Sequence, residues 1–156
     1  MRRAESQDFE RNKGFPNTEE EMTRYLGRKL RNLFKQYDIE FACLGGSWAE
    51  NRNQWWSDVD IFVSIPKFKE FPGKQQLSIL TKLHVKASEL AEIEKIEISV
   101  LQNLPLHVQF NAIKYRLLIY EQNPQVFPEF LEKLLPLYYD HKIWYDQLLK
   151  EADYIK

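Results

Sequence analysis

The sequence predicts an α/β domain in which a small mixed β-sheet is flanked by helices. Two observations lead to this prediction. Segments with helical periodicity alternate with short, β-like apolar runs. Gly and Pro residues separate several of these segments. The chain has 156 residues, of which 44% are hydrophobic, and this is enough for one domain with a substantial core.

A capping box opens the first predicted helix. Thr18 takes the cap position, Glu21 takes the position that reaches back to it, and apolar residues follow at helical spacing over 19–36. The next predicted elements are strands at 39–44 and 59–65, with a turn and up to one helical turn at 47–56 between them. A helix at 74–92, a strand at 95–101, and helices at 106–119 and 128–151 are predicted to follow. Pro136 is expected to bend or split the last helix. Residues 1–16 are polar and are interpreted as a flexible arm before a single domain at 17–156.

The overall charge and the cysteine content restrict the class of protein. The formal charge is −1, from 22 basic and 23 acidic side chains, so the protein has no overall positive charge to attract phosphates. Direct nucleic-acid binding is therefore not expected, although a local basic patch is not excluded. The single Cys43 cannot form an intramolecular disulfide and indicates a reducing compartment. No membrane span or secretory signal is visible, so we expect a cytoplasmic protein. The three His residues lack metal-ligand spacing and are interpreted as ordinary.

Two aspartates stand where a strand is expected to begin. Asp58 and Asp60 are one residue apart, so their side chains point to the same face of the strand. Two neighbouring carboxylates repel each other unless a cation lies between them. Divalent metal ions prefer such hard oxygen ligands and leave room for water and phosphate. The pair therefore predicts a divalent metal site.

A third carboxylate is expected on the next strand. Apolar residues of the strand at 95–101 alternate with Glu97, which places Glu97 on the opposite face, where it can meet the aspartate pair. A different strand register would instead bring in Glu94 or Glu92. Three carboxylates on one face can hold two divalent ions about 3.5–4 Å apart.

A glycine turn precedes the aspartate pair. Gly45, Gly46 and Ser47 can offer backbone N–H groups to an anion, because glycine has no side chain to block the approach, and the Ser47 hydroxyl adds one more hydrogen bond. A phosphate cradle beside metal-binding carboxylates favours phosphoryl or nucleotidyl transfer.

The complete pattern resembles a known family. Gly46-Ser47, ten intervening residues, and Asp58-x-Asp60 are similar to the signature of the polymerase-β nucleotidyltransferase superfamily. Within it, the similarity is to minimal nucleotidyltransferases of the MNT type, which are paired with HEPN-domain toxins. Their motif runs Gly-Ser-x-Ala-x-Gly, then Ser-Asp-x-Asp-hydrophobic, and the matching residues here are Ser47, Ala49, Ser57, Asp58, Asp60 and Ile61. The chain departs from the motif at Glu50, where the family often has a basic residue, and at Asn51, where it has Gly.

The resemblance implies a polymerase-β-like nucleotidyltransferase fold and a metal-dependent enzyme. Its implied reaction transfers AMP from ATP, with Mg²⁺ at a two-metal site, to a tyrosine hydroxyl of a cognate HEPN-type toxin, so that the protein acts as an antitoxin. The implied catalytic and metal-binding residues are Asp58, Asp60 and Glu97, and the implied nucleotide-binding residues are Gly46, Ser47 and Ser57. Two alternatives stay open: transfer to a small molecule such as an aminoglycoside, and a non-catalytic module that neutralises a toxin by contact.

Overall fold

The computed structural model describes residues 16–50 and 58–155, in which helices alternate with short strands. In chain order these elements are α1 (Glu19–Gln36), β1 (Phe41–Gly45), α2 (Gly46–Ala49), β2 (Val59–Ser64), α3 (Gly73–Ala91), β3 (Ile96–Val100), α4 (Leu106–Ile113), β4 (Leu118–Glu121) and α5 (Val126–Ile155). Short 3₁₀ turns lie at Phe68–Glu70 and Leu101–Asn103.

The four strands form one mixed sheet in the order β3-β2-β1-β4. Strand β1 is antiparallel to both β2 and β4. Strand β3 is parallel to β2, which requires a crossover connection, and α3 supplies it. The predicted mixed sheet flanked by helices is therefore confirmed.

The first helix begins at the predicted Thr18 cap, but Glu21 reaches back to Asn17 and not to Thr18. The Thr18 hydroxyl accepts a hydrogen bond from the Glu21 amide at 3.1 Å, while the Glu21 carboxylate accepts one from the Asn17 amide at 2.9 Å. The buried side of the helix carries Met22, Leu26, Leu30, Leu33 and Phe34. Helix α1 therefore packs one apolar stripe into the core and leaves its other faces in solvent.

Because side chains alternate along each strand, each face of the sheet has its own set of apolar residues, and helices pack on both faces. One core, shared with α1 and α3, contains Ala42 and Leu44, the apolar residues of β3, and Val59, Ile61 and Val63 of β2. Phe41 and Cys43 point the other way and pack against α4 and α5, where the Phe41 ring meets those of Phe127 and Phe130 edge-on at 5.1 and 5.0 Å. Burial raises the pKa of the Cys43 thiol, as expected for a core cysteine.

The structure corrects one helix prediction near the C-terminus and excludes one of the two outcomes expected for another. The helix predicted at 106–119 ends at Ile113, and residues 118–121 form β4, which pairs with β1. The chain turns at Arg116, whose φ is +56°, and no Gly or Pro signals that turn in the sequence. The last helix runs through Pro136 as one element, so the expected split does not occur.

Two further expectations concern the N-terminal arm and the membrane. Residues 1–15 of the predicted arm lie outside the described residues, and Pro16 is buried. Within 16–50 and 58–155, no helix is both long and apolar enough to cross a membrane.

Candidate active site

The turn between β1 and α2 lies against the second aspartate of the motif. Gly45 is the register partner of Asp60, and Gly46 follows with φ of +62°. A Cβ on Gly46 would overlap the Asp60 carboxylate oxygen Oδ2. Gly46 is therefore required twice, once for its left-handed backbone and once for the space that Asp60 occupies.

Helix α2 is a single turn that is anchored by its buried side. Trp48 is only 2% exposed and packs into the core shared with α1 and α3, whereas the preceding Ser47 is half-buried. The Trp48 indole Nε1 has no hydrogen-bond partner among the described residues. Trp48 thus packs the turn against the core and does not offer its ring for base stacking.

The parallel pairing of β2 and β3 brings two acids together. Asp60 is the register partner of Glu97, and their carboxyl groups share a hydrogen bond. Burial, the charge and hydrogen bond of Glu97, and the charge of Asp58 raise the pKa of Asp60 to about 6. Asp58 is exposed, directly before β2 begins. The predicted strand alternation is confirmed, since Glu97 lies on the face opposite to its apolar neighbours.

The other candidate acids lie elsewhere. Glu92 ends α3 with a left-handed backbone, and Glu94 is exposed in the loop before β3. The register of β3 therefore favours Glu97 as the acid that faces Asp60.

The acids have the right chemistry for a divalent cation. Among the described residues, no group of three or more His, Cys, Asp or Glu side chains stands close enough together to hold a metal ion. Burial and then the charge and hydrogen bond of Glu97 raise the pKa of Asp60, because two adjacent carboxylates repel each other when both are charged. A divalent ion would remove that repulsion, and carboxylate oxygens are its preferred ligands. Asp58 contributes charge to this end of the sheet but does not complete a three-ligand group as it stands.

A large apolar side chain lies beside the acids on the same face of the sheet. Phe62 follows Asp60 on the same face of β2 and is half-buried, with Cys43 and Ser99 as its register partners on the neighbouring strands. Phe62 packs against the core beneath α4 and α5. Ser57, the remaining predicted nucleotide-binding residue, lies outside the described residues.

The site contains a glycine turn, a half-buried aspartate and a facing glutamate on one sheet face. A family model described as polymerase beta, nucleotidyltransferase, matches residues 28–125. The chain belongs to this family. The match includes both halves of the Gly-Ser and Asp-x-Asp motif, and it ends before α5 begins. No curated protein matches this nucleotidyltransferase-family chain.

Solved structures share the fold of this nucleotidyltransferase domain. One is a toxin–antitoxin with AMP-PNP, at a TM-score of 0.61 and 14% identity, covering 81% of this chain and 97% of that one. Another is an aspartate-to-glutamate double mutant of the toxin–antitoxin MntA–HpeT, at a TM-score of 0.60 and 12% identity, with the same coverage. At these identities the likeness shows the fold alone.

Proposed function

We propose that this domain is an active, metal-dependent nucleotidyltransferase that transfers AMP from ATP to a tyrosine hydroxyl of a HEPN-type toxin and thereby acts as an antitoxin. The observation that carries the proposal is the Asp60–Glu97 pair, facing the Gly45–Gly46 turn within a nucleotidyltransferase-family domain. The AMP-PNP in one structural neighbour supports ATP as the nucleotide.

Each residue of the proposed site has its own role in the reaction. Asp58, Asp60 and Glu97 would hold Mg²⁺, which supplies positive charge to the triphosphate when it is bound. The Gly46 turn amides and Ser47 would contact the phosphates, with Ser57 as a further nucleotide contact. The acceptor oxygen forms a bond to the α-phosphorus, its proton leaves to a nearby base such as Glu97, and the bond to pyrophosphate breaks.

Helix α5 favours a protein as the acceptor. From Leu137 onward it exposes large apolar side chains, each between 42% and 58% exposed: Leu137, Tyr139, Ile143, Trp144, Tyr145, Leu148 and Leu149. Such a concentration of apolar surface marks an interaction site rather than an ordinary solvated helix. We assign this surface to the toxin, because the two solved structures described above are toxin–antitoxin proteins. A small-molecule acceptor would leave the apolar surface without a role.

The test is a transfer assay with the product of the adjacent gene. The protein, Mg²⁺, ATP labelled at the α-phosphate and the neighbouring protein are incubated together, and label on the neighbour is measured. We expect label with the wild type, and a loss of more than about a hundredfold with Asp60→Asn, because a metal-binding carboxylate is removed. Glu97→Gln and Glu94→Gln form a matched pair of variants. Transfer should fall in Glu97→Gln, whose acid faces Asp60, and stay near wild type in Glu94→Gln, whose acid lies in the loop before β3.

Each outcome has a distinct meaning. Label that persists in Asp60→Asn would overturn the metal assignment, and equal losses in the two Gln variants would overturn the role of Glu97. Toxin neutralisation without any label would show that the protein acts as a non-catalytic binding module. Label on a small aminoglycoside but not on the neighbouring protein would instead support the small-molecule alternative.

A further inference from the structure

His84 uses both of its ring nitrogens to join α3 to β3. Its Nε2 lies 2.9 Å from the Ile98 backbone nitrogen, and its Nδ1 lies 2.8 Å from the Leu80 carbonyl oxygen. A backbone N–H can only donate, so Nε2 accepts and the ring proton lies on Nδ1, which donates to Leu80. The contacts therefore select one neutral tautomer, with the ring held at two points.

The bond to Ile98 lies at an open edge of the described sheet. Strand β3 is terminal there and pairs with β2 alone. The Val59 amide donates to the Lys95 carbonyl at 2.9 Å, so by alternation the backbone of Glu97 faces β2 and the backbone of Ile98 faces outward. An edge strand leaves such outward N–H groups without a strand partner. His84 supplies the acceptor that another strand would otherwise supply.

The neighbouring residue gives this bond a functional consequence. Glu97 directly precedes Ile98, and its carboxyl group meets that of Asp60. Strand β3 has a strand partner on one side only, so contacts on its outer side add to its ladder with β2 and its buried side chains in fixing its position. That outer contact comes from α3, whose buried residues Leu83 and Ala87 flank His84 on the helix.

We propose that His84 is a positioning residue for the carboxylate site, because it holds the edge strand β3 so that Glu97 stays opposite Asp60. The role in transfer rests on the proposed function, whereas the tether itself does not. His84 touches neither nucleotide nor metal in this scheme, and it acts through the Ile98 backbone. Residues that orient a metal ligand commonly alter affinity or activity by 10–100-fold, so the tether falls within a measurable range.

Two substitutions separate the bonds from the volume of the side chain. Gln at position 84 carries a carbonyl oxygen that can accept from Ile98 and an amide that can donate to Leu80, whereas Leu fills space without either bond. In His84→Leu we expect faster amide hydrogen exchange at Ile98, Mn²⁺ affinity lower by about tenfold, and kcat lower by about tenfold with little change in KM for ATP. In His84→Gln we expect all three measurements to return to within about threefold of the wild type.

A control at the other edge of the sheet tests for general loosening. A Cβ at Gly27 would lie 2.7 Å from the Ile119 carbonyl oxygen of β4, so Gly27→Ala disturbs the packing of α1 on β4 without touching β3. We expect Gly27→Ala to lower the unfolding temperature while Mn²⁺ affinity and Ile98 exchange stay near wild type.

Three results would overturn the proposal. They are unchanged Ile98 exchange in His84→Leu, unchanged Mn²⁺ affinity in that variant, and an equal loss of affinity in Gly27→Ala at a comparable fall in unfolding temperature. If the wild type transfers no AMP, the proposed function fails, while Ile98 exchange and Mn²⁺ affinity still decide whether His84 positions the site.

Discussion

Replacing Asp60 by Asn should stabilise the metal-free domain at neutral pH. The pKa of Asp60 is raised from 3.8 to about 6 in the folded state. A raised carboxyl pKa means that the folded state favours the protonated acid. Asp60 therefore does not reduce the free energy of unfolding below about pH 4, and it reduces it progressively as the pH rises from about 4 to about 6. Asn removes the charge and can still donate a hydrogen bond to Glu97.

The size of the stabilisation expected in Asp60→Asn follows from the pKa shift of Asp60. Two pKa units correspond to about 3 kcal/mol of folding free energy if the group were fully buried. Asp60 is only half-buried, so solvent screening reduces this to about 1 kcal/mol. A change of about 1 kcal/mol shifts the unfolding temperature by about 2–4 °C in a domain of this size.

Thermal unfolding followed by circular dichroism provides the measurement. With EDTA present, Asp60→Asn should unfold about 2–4 °C above wild type at pH 8, and at the same temperature as wild type near pH 4. Adding Mg²⁺ at pH 8 should raise the unfolding temperature of the wild type but not that of the variant. The exposed Asp140 on α5 offers a control, since Asp140→Asn should have no such pH-dependent effect. A gain that is equal at both pH values would refute the reasoning, because it would not arise from ionisation of Asp60.

Two further predictions concern the turn and the exposed helix. Gly46→Ala should abolish transfer and lower stability by at least about 1–2 kcal/mol, the cost of a left-handed alanine, whereas Gly73→Ala, whose Cβ meets open space, should leave activity intact. An active Gly46→Ala enzyme would contradict the close packing of the turn. Trp144→Ala should weaken toxin binding by at least about tenfold without altering the unfolding temperature, and Tyr115→Ala, another exposed aromatic substitution, should not weaken it. Equal affinities measured by calorimetry would place the toxin elsewhere.

The sequence predicts the acid pair well because it depends on local rules. Strand alternation puts Glu97 on a face opposite its apolar neighbours, and the parallel register then brings it to Asp60. Strand β4 was not predicted, because a short apolar run such as 117–120 suits a helix and a strand equally, and the turn before it relies on Arg116. The role of His84 depends on where α3 crosses β3, which spacing along the chain does not reveal.

The parallel pairing of β3 with β2 also determines when the site can assemble during folding. Strands β1 and β2 are antiparallel, successive strands, so the glycine turn and Asp60 come together through contacts between nearby segments. Glu97 joins them only after the whole of α3 has crossed back over the sheet, and such non-local pairing carries a larger loop-closure cost. During synthesis, the acid pair therefore forms only once the third strand has emerged and docked, so a nascent chain that ends within α3 has no complete site.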